Sequence, residues 1–65
     1  MHTTYYEDDD ILVIRFSNKP VVREVAQDWN TNISYGEDGS VVEVVVLDAK
    51  AIGALPVDTQ HVHAA

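Results

Sequence analysis

The chain contains no cysteine, so neither a disulfide framework nor a thiolate metal site is available to it. Its three histidines, His2, His61 and His63, are too few and too dispersed for a closed structural zinc site. Cations are equally scarce. Arg15, Lys19, Arg23 and Lys50 stand well apart against eleven acidic residues, for a formal charge of −7. A surface of that sign repels phosphate backbones, and nucleic-acid binding needs a concentrated basic patch. An anionic membrane surface is disfavoured on the same ground. No apolar run approaches the ~20 residues that span a bilayer. The opening residues 1–7 lack the basic start and apolar stretch of a secretory leader, so the expected location is the cytoplasm. No glycine-rich phosphate loop is present. Ser17, Ser34 and Ser40 have no histidine close in sequence to activate them.

What the chain does have is β-branched hydrophobic sequence. Sixty-five residues with 46% hydrophobic content suit one small domain, which buries only about 60% of the surface its unfolded form exposes. Association with another chain is the remaining source of stability at this size. Turn-forming clusters punctuate the sequence at residues 7–10, 17–20 and 36–39. Residues 11–16 read as a strand with Leu12, Ile14 and Phe16 on one face and Ile11, Val13 and Arg15 on the other. Residues 41–47 hold five valines in seven positions, a composition that loses side-chain freedom in a helix and favours a strand. Weaker strands are expected at residues 3–6, pairing with 11–16, and at 30–35, pairing with 41–47 across Asp38-Gly39. Residues 21–26 are expected to be extended, with Pro20 at their start, where a missing N–H does least harm. The predicted architecture is therefore a mainly β fold, a small antiparallel sheet of four to five short strands built from two hairpins. A short helical turn is expected over residues 49–55, capped by Asp48 and stopped by Pro56. The domain is expected to occupy residues 1–55, with 56–65 a tail or an arm that orders on a partner.

The strand at 41–47 is apolar front and back. Val42, Val44 and Val46 point one way; Val41, Glu43, Val45 and Leu47 point the other. A sheet with one wet face needs only one apolar side, so the second side is expected to be covered by the C-terminal segment, a second sheet or another subunit. Glu43 keeps part of that side near water, because an unpaired buried carboxylate is costly. Trp29, the only tryptophan, suits a core with one wet edge or an interface. Val41, Glu43, Val45, Leu47 and Trp29 form the candidate interaction surface.

Tyr5-Tyr6-Glu7-Asp8-Asp9-Asp10, followed by Ile11-Leu12-Val13-Ile14-Arg15-Phe16, resembles the opening of the small prokaryotic domains known as domain of unknown function 2283. Those begin with an aromatic-Asp turn and then Asp-x-Leu-x-Ile-x-Leu. The stretch from Asn32-Ile33-Ser34-Tyr35 through Asp38-Gly39 to Val44-Val45-Val46-Leu47-Asp48-Ala49 resembles their second half, a strand, an acidic Asp-Gly hairpin and a strand ending Glu-Ile-Leu-Asp-Ala. The resemblance covers roughly residues 3–50. Relatives usually carry Asp where Ser34 or Gly36 sits, and often a Gly just before the Glu-Ile-Leu stretch, where this chain has only Val and Glu43. The resemblance implies a compact sheet of short antiparallel strands and supplies no catalytic set. Some relatives lie beside small basic ribonuclease toxins, which implies an antitoxin-like or partner-binding role.

Other readings are weaker. The acidic run at residues 7–10 lacks the loop frame and the six to eight oxygens of a calcium site and reads as a solvated turn. His61 and His63 share one face if extended and would supply half of a metal site, with His2 or a carboxylate completing it; a metal- or small-ligand-binding domain is the third and most distant reading. No catalytic residue, cofactor or metal is assigned, and the chain is expected not to be an enzyme. The partner is expected to be a protein, small and basic given the acidic surface, or a second copy forming a homodimer through the second face of residues 41–47.

Overall fold

A computed structural model describes residues 1–53 and 60–62. Six strands form one sheet: β1 (His2–Tyr6), β2 (Ile11–Arg15), β3 (Arg23–Asp28), β4 (Thr31–Tyr35), β5 (Val41–Leu47) and β6 (Gln60–Val62). Their spatial order is β3-β4-β5-β2-β1-β6. β1 to β5 pair antiparallel throughout. The three-strand meander β3-β4-β5 returns to lie beside β2, a Greek-key connection made by residues 16–22 along one end of the sheet. Both expected hairpins form, and the valine-rich strand lies at the centre between β4 and β2. The extended segment expected at residues 21–26 becomes the edge strand β3, exposed along its whole length. Among the described residues there is no helix, and none is long and apolar enough to cross a membrane.

Register sets the two faces. Tyr5 pairs with Leu12, Leu12 with Val46, Ile14 with Val44, and Val44 with Ile33. Directly opposed residues share a face, so these side chains make the first face. Tyr5, Leu12, Val46 and Ala49 are its buried cluster, with Ile14 and Val44 packed against it. Leu12 is 1% exposed. Ala49 reaches this face because the chain turns back after β5, where its N–H donates to the Asp10 carbonyl (3.2 Å).

Each turn has a local cause. Asp10 closes the β1–β2 turn at φ +53°, a left-handed conformation that Asp tolerates better than most residues. In the β4–β5 hairpin, Gly39 takes φ +83°, where a side chain would be strained. Gly36 N–H donates to the Ser40 carbonyl (2.9 Å), and Gly39 N–H donates to the Gly36 carbonyl (3.0 Å). Between Ser34 and Tyr35 the pairing shifts, so that Ser34 opposes Glu43 while Tyr35 opposes Val41. Val42 is the extra residue of this bulge, and it is fully buried.

The segment after β5 differs from its expected form. Asp48 has φ +52°, which does not suit the extended backbone of a helix N-cap. Ile52 N–H donates to the Asp48 carbonyl (3.1 Å) and Gly53 N–H to the Lys50 carbonyl (3.1 Å), so residues 48–53 make two overlapping turns. Residues 54–55 of the expected helical turn, and the boundary at 55/56, lie outside the described residues. Of the expected tail, Gln60–Val62 runs parallel to β1 as β6, satisfying backbone groups that an open edge would present unpaired. His63 lies outside the described residues.

Candidate interaction surface

The second face of the sheet is built by the alternate register. Arg15 opposes Glu43, Val13 opposes Val45, and Ile11 opposes Leu47. Across the other side of β5, Asn32 opposes Val45 and Ser34 opposes Glu43. Tyr6 joins this face through its pairing with Ile11. The result is an apolar stripe of Tyr6, Ile11, Val13, Val45 and Leu47 beside a polar lane. All of these are half-buried except Leu47, which is 40% exposed. Contacts between strands run only between neighbours in the sheet. No described strand therefore lies over this stripe.

The polar lane is satisfied internally. Arg15 Nε lies 3.3 Å from Glu43 Oε2, which accounts for a carboxylate on an otherwise apolar strand. Ser34 Oγ, on a buried residue, donates to Glu24 Oε1 (3.5 Å).

At one end of the stripe, the β3–β4 turn raises Trp29. Asn30 organises that turn. Its N–H donates to Asp28 Oδ1 (3.1 Å), its carbonyl accepts Leu47 N–H (2.7 Å), and its Nδ2 donates to the Leu47 carbonyl (3.4 Å). Asn30 is thereby buried with its polar groups occupied, while the adjacent Trp29 is left 73% exposed. Trp29, Asp28, Asn32, Val45 and Leu47 help to line an open cavity of about 260 Å³. Trp29 thus stands outside the core.

Of the residues singled out from the sequence, Glu43, Val45 and Leu47 share the second face, and Trp29 joins Val45 and Leu47 at the cavity. Val41 does not join them. The bulge places it opposite Tyr35, at the end of β5 remote from Trp29. Asp28, Asn30 and Asn32 were not anticipated in this region. The signal available for Asn30 was the Asp28-Trp29-Asn30 triplet, an Asx-turn sequence.

Charge is divided between the two ends of the sheet. Strand directions bring the β1–β2 turn, the β3–β4 turn and the end of β5 to one end. Glu7, Asp8, Asp9, Asp10, Asp28 and Asp48 therefore gather there with Lys50, six acids against one cation, leaving −5. The opposite half holds Glu24, Glu37, Asp38 and Glu43 against Arg15, Lys19 and Arg23, leaving −1. Asp58 lies outside the described residues. The three cations of that half are engaged: Arg15 with Glu43, Lys19 Nζ with Asp38 Oδ2 (2.6 Å), and Arg23 over the Tyr35 ring (4.6 Å to its centroid). The net charge is thus concentrated at the end that carries Trp29 and the cavity.

Two carboxylates act as clasps. Asp10 Oδ1 accepts the Tyr5 hydroxyl (2.6 Å) and Lys50 N–H (2.8 Å). These bonds, that from Tyr5 foremost, lower the Asp10 pKa below its usual range. The same bond, with burial and the Asp10 charge, pushes the Tyr5 hydroxyl up to about 12. Asp38 accepts Lys19 Nζ on one oxygen and Ser40 N–H (3.1 Å) and Oγ–H (2.6 Å) on the other. Those bonds, led by that from Lys19, hold its pKa well below the usual carboxylate range. The acidic turn at residues 7–10 is therefore a structural tie at Asp10. Among the described residues, no group of three or more His, Asp or Glu side chains is placed to hold a metal ion.

No curated protein matches the chain, and no solved structure matches it. A family model described as protein of unknown function (DUF2283) matches residues 2–50, a span that takes in β1 through β5, both clasps and Trp29. On that match, covering most of its length, the chain belongs to the DUF2283 family.

Proposed function

We propose that the chain is a protein-interaction module whose docking surface is the second face of the sheet, centred on Val45, Leu47 and Trp29, and whose partner is a small basic protein. The observation that carries this reading is a sheet whose central strand is apolar on both sides, one of them half-exposed with no described strand packed over it. An exposed apolar patch rimmed by polar residues is characteristic of interaction sites. Aromatic anchors such as Trp29 contribute most where they become buried on binding.

The choice of a basic partner follows from charge. The end of the sheet that carries the cavity holds −5, which accelerates encounter with a cationic surface and repels an anionic one. A second copy is the less favoured occupant. A two-fold interface pairs a patch with itself, so a dimer centred on Trp29 brings the two acidic ends together. An antitoxin-like role, occluding a small basic toxin, is the specific form of this reading that the family resemblance favours.

The test is co-expression with the product of the adjacent gene, where that product is small and basic. Co-purification as a stable complex, lost with Val45→Asp while the variant still melts cooperatively, is the expected result. Separate elution of the two proteins, or a complex indifferent to Val45→Asp, overturns the reading. Light scattering that shows a stable dimer of the chain alone favours the second copy instead.

A further inference from the structure

Resting on that reading, we infer that the cavity beside Trp29 seats one arginine or lysine side chain of the partner, its methylene stem against Trp29, Val45 and Leu47 and its charged head toward Asp28. Three features of the cavity converge on a cationic side chain. Its floor is apolar, from Val45 and Leu47. Its wall is an indole left almost bare, a surface that attracts cations through its ring face. Asp28 and Asn32 also line it, residues whose side-chain oxygens can accept from a guanidinium or ammonium.

Asp28 is held in place for this. Its Oδ1 accepts Asn30 N–H, and Asn30 is locked to β5 through both backbone groups of Leu47. A carboxylate fixed by its own turn loses little freedom on binding, which favours affinity. Long cationic side chains lay an apolar stem along a hydrophobic surface while the head reaches polar groups, and this cavity offers both. An acidic or purely aliphatic side chain satisfies only one of the two.

Trp29 is the only tryptophan, so its fluorescence reports on the cavity alone. The full chain is titrated with a blocked peptide alternating valine and arginine, and with the same peptide carrying citrulline in place of arginine. Citrulline keeps the shape and removes the charge. The expected result is a saturable blue shift of Trp29 emission with the arginine peptide, with Kd below about 1 mM, and binding at least tenfold weaker with the citrulline peptide. Asp28→Asn, which keeps an oxygen to accept Asn30 N–H, is expected to weaken arginine-peptide binding about fivefold or more. Glu37→Gln, at the opposite end of the sheet, is expected to leave it unchanged.

No saturable shift with the arginine peptide, or equal binding of the citrulline peptide, overturns the inference. So does an equal loss with Glu37→Gln, which assigns the effect to overall charge. A Trp29 emission already blue-shifted and dependent on protein concentration without peptide also overturns it, by placing a second copy in the cavity. A native complex that survives Asp28→Asn but is lost with Val45→Asp defeats this inference and leaves the broader reading standing.

Discussion

Tyr5, Asp10 and Leu12 show how few side chains hold a domain of this size. Among the described residues Leu12 is the largest fully buried side chain, in one cluster with Tyr5, Val46 and Ala49. Leu12→Ala is expected to cost about 2–5 kcal/mol, the usual range for truncating a buried leucine. That is a large share of what a small domain has. A urea titration showing a loss under ~1 kcal/mol contradicts this assignment of the core. The clasps add a pH dependence whose sign follows from their shifts. Asp10 and Asp38 have lowered folded pKa values. Their contribution is complete above the ordinary carboxylate range of about 4 and is lost as pH falls through the lowered values. Tyr5 is shifted the other way, from 10.0 to about 12. Its contribution is complete below pH 10.0 and is lost as pH rises toward 12. Melting temperatures measured from pH 2 to 12 are expected to fall at both extremes (roughly the span of these groups). In Tyr5→Phe the alkaline fall is expected to flatten; an unchanged alkaline limb removes Tyr5 as its source.

At the scale of the element, the β3–β4 hairpin does two things. It supplies the edge strand, and it presents Trp29. Asn30 makes both possible by tying the turn to Leu47 of β5. Asn30→Ala removes the side-chain bond and the partner of Thr31 Oγ1 (3.3 Å). It is expected to destabilise by about 1–3 kcal/mol, with amide exchange accelerating first in β3 and β4. Uniform acceleration across the sheet is the contrary result. The edge itself is blunted. Its pairing with β4 shifts between Ala26 and Asp28, and Arg23, Glu24, Gln27 and Asp28 occupy most of its length. Irregular, charged edges discourage strand addition, which is why the proposed docking surface is the second face and not the β3 edge. The strands themselves could be read from β-branched runs and period-two alternation, as β2 and β5 show. The turn after β5 could not, because Asp48 satisfies the composition of a helix cap while its backbone takes a left-handed conformation.

For the whole molecule, the decisive feature is the separation of charge along the strands. Three of the four cations lie in one half with their partners, so the acidic excess sits at the end bearing the cavity. Association with a basic partner is expected to slow steeply as salt rises past about 0.15 M, where the screening length is ~8 Å. A rate constant indifferent to salt in stopped-flow mixing rules out electrostatic steering. Trp29→Ala separates binding from folding at the same scale. Trp29 packs little in the free protein, so the change is expected to alter stability by no more than about 0.5 kcal/mol while abolishing the complex. A large drop in melting temperature makes Trp29 a core residue after all.

The identity of β1 through β5, the two faces of β2 and of β5 beyond its bulge, and the acidic surface followed from local chemistry, because side-chain period and turn preference act over a few residues. The grouping of Trp29 with Val45 and Leu47, the displacement of Val41 by the bulge and the gathering of six acids at one end did not. Each depends on which strands become neighbours and in what register, and that choice is made by long-range pairing that a linear pattern does not encode.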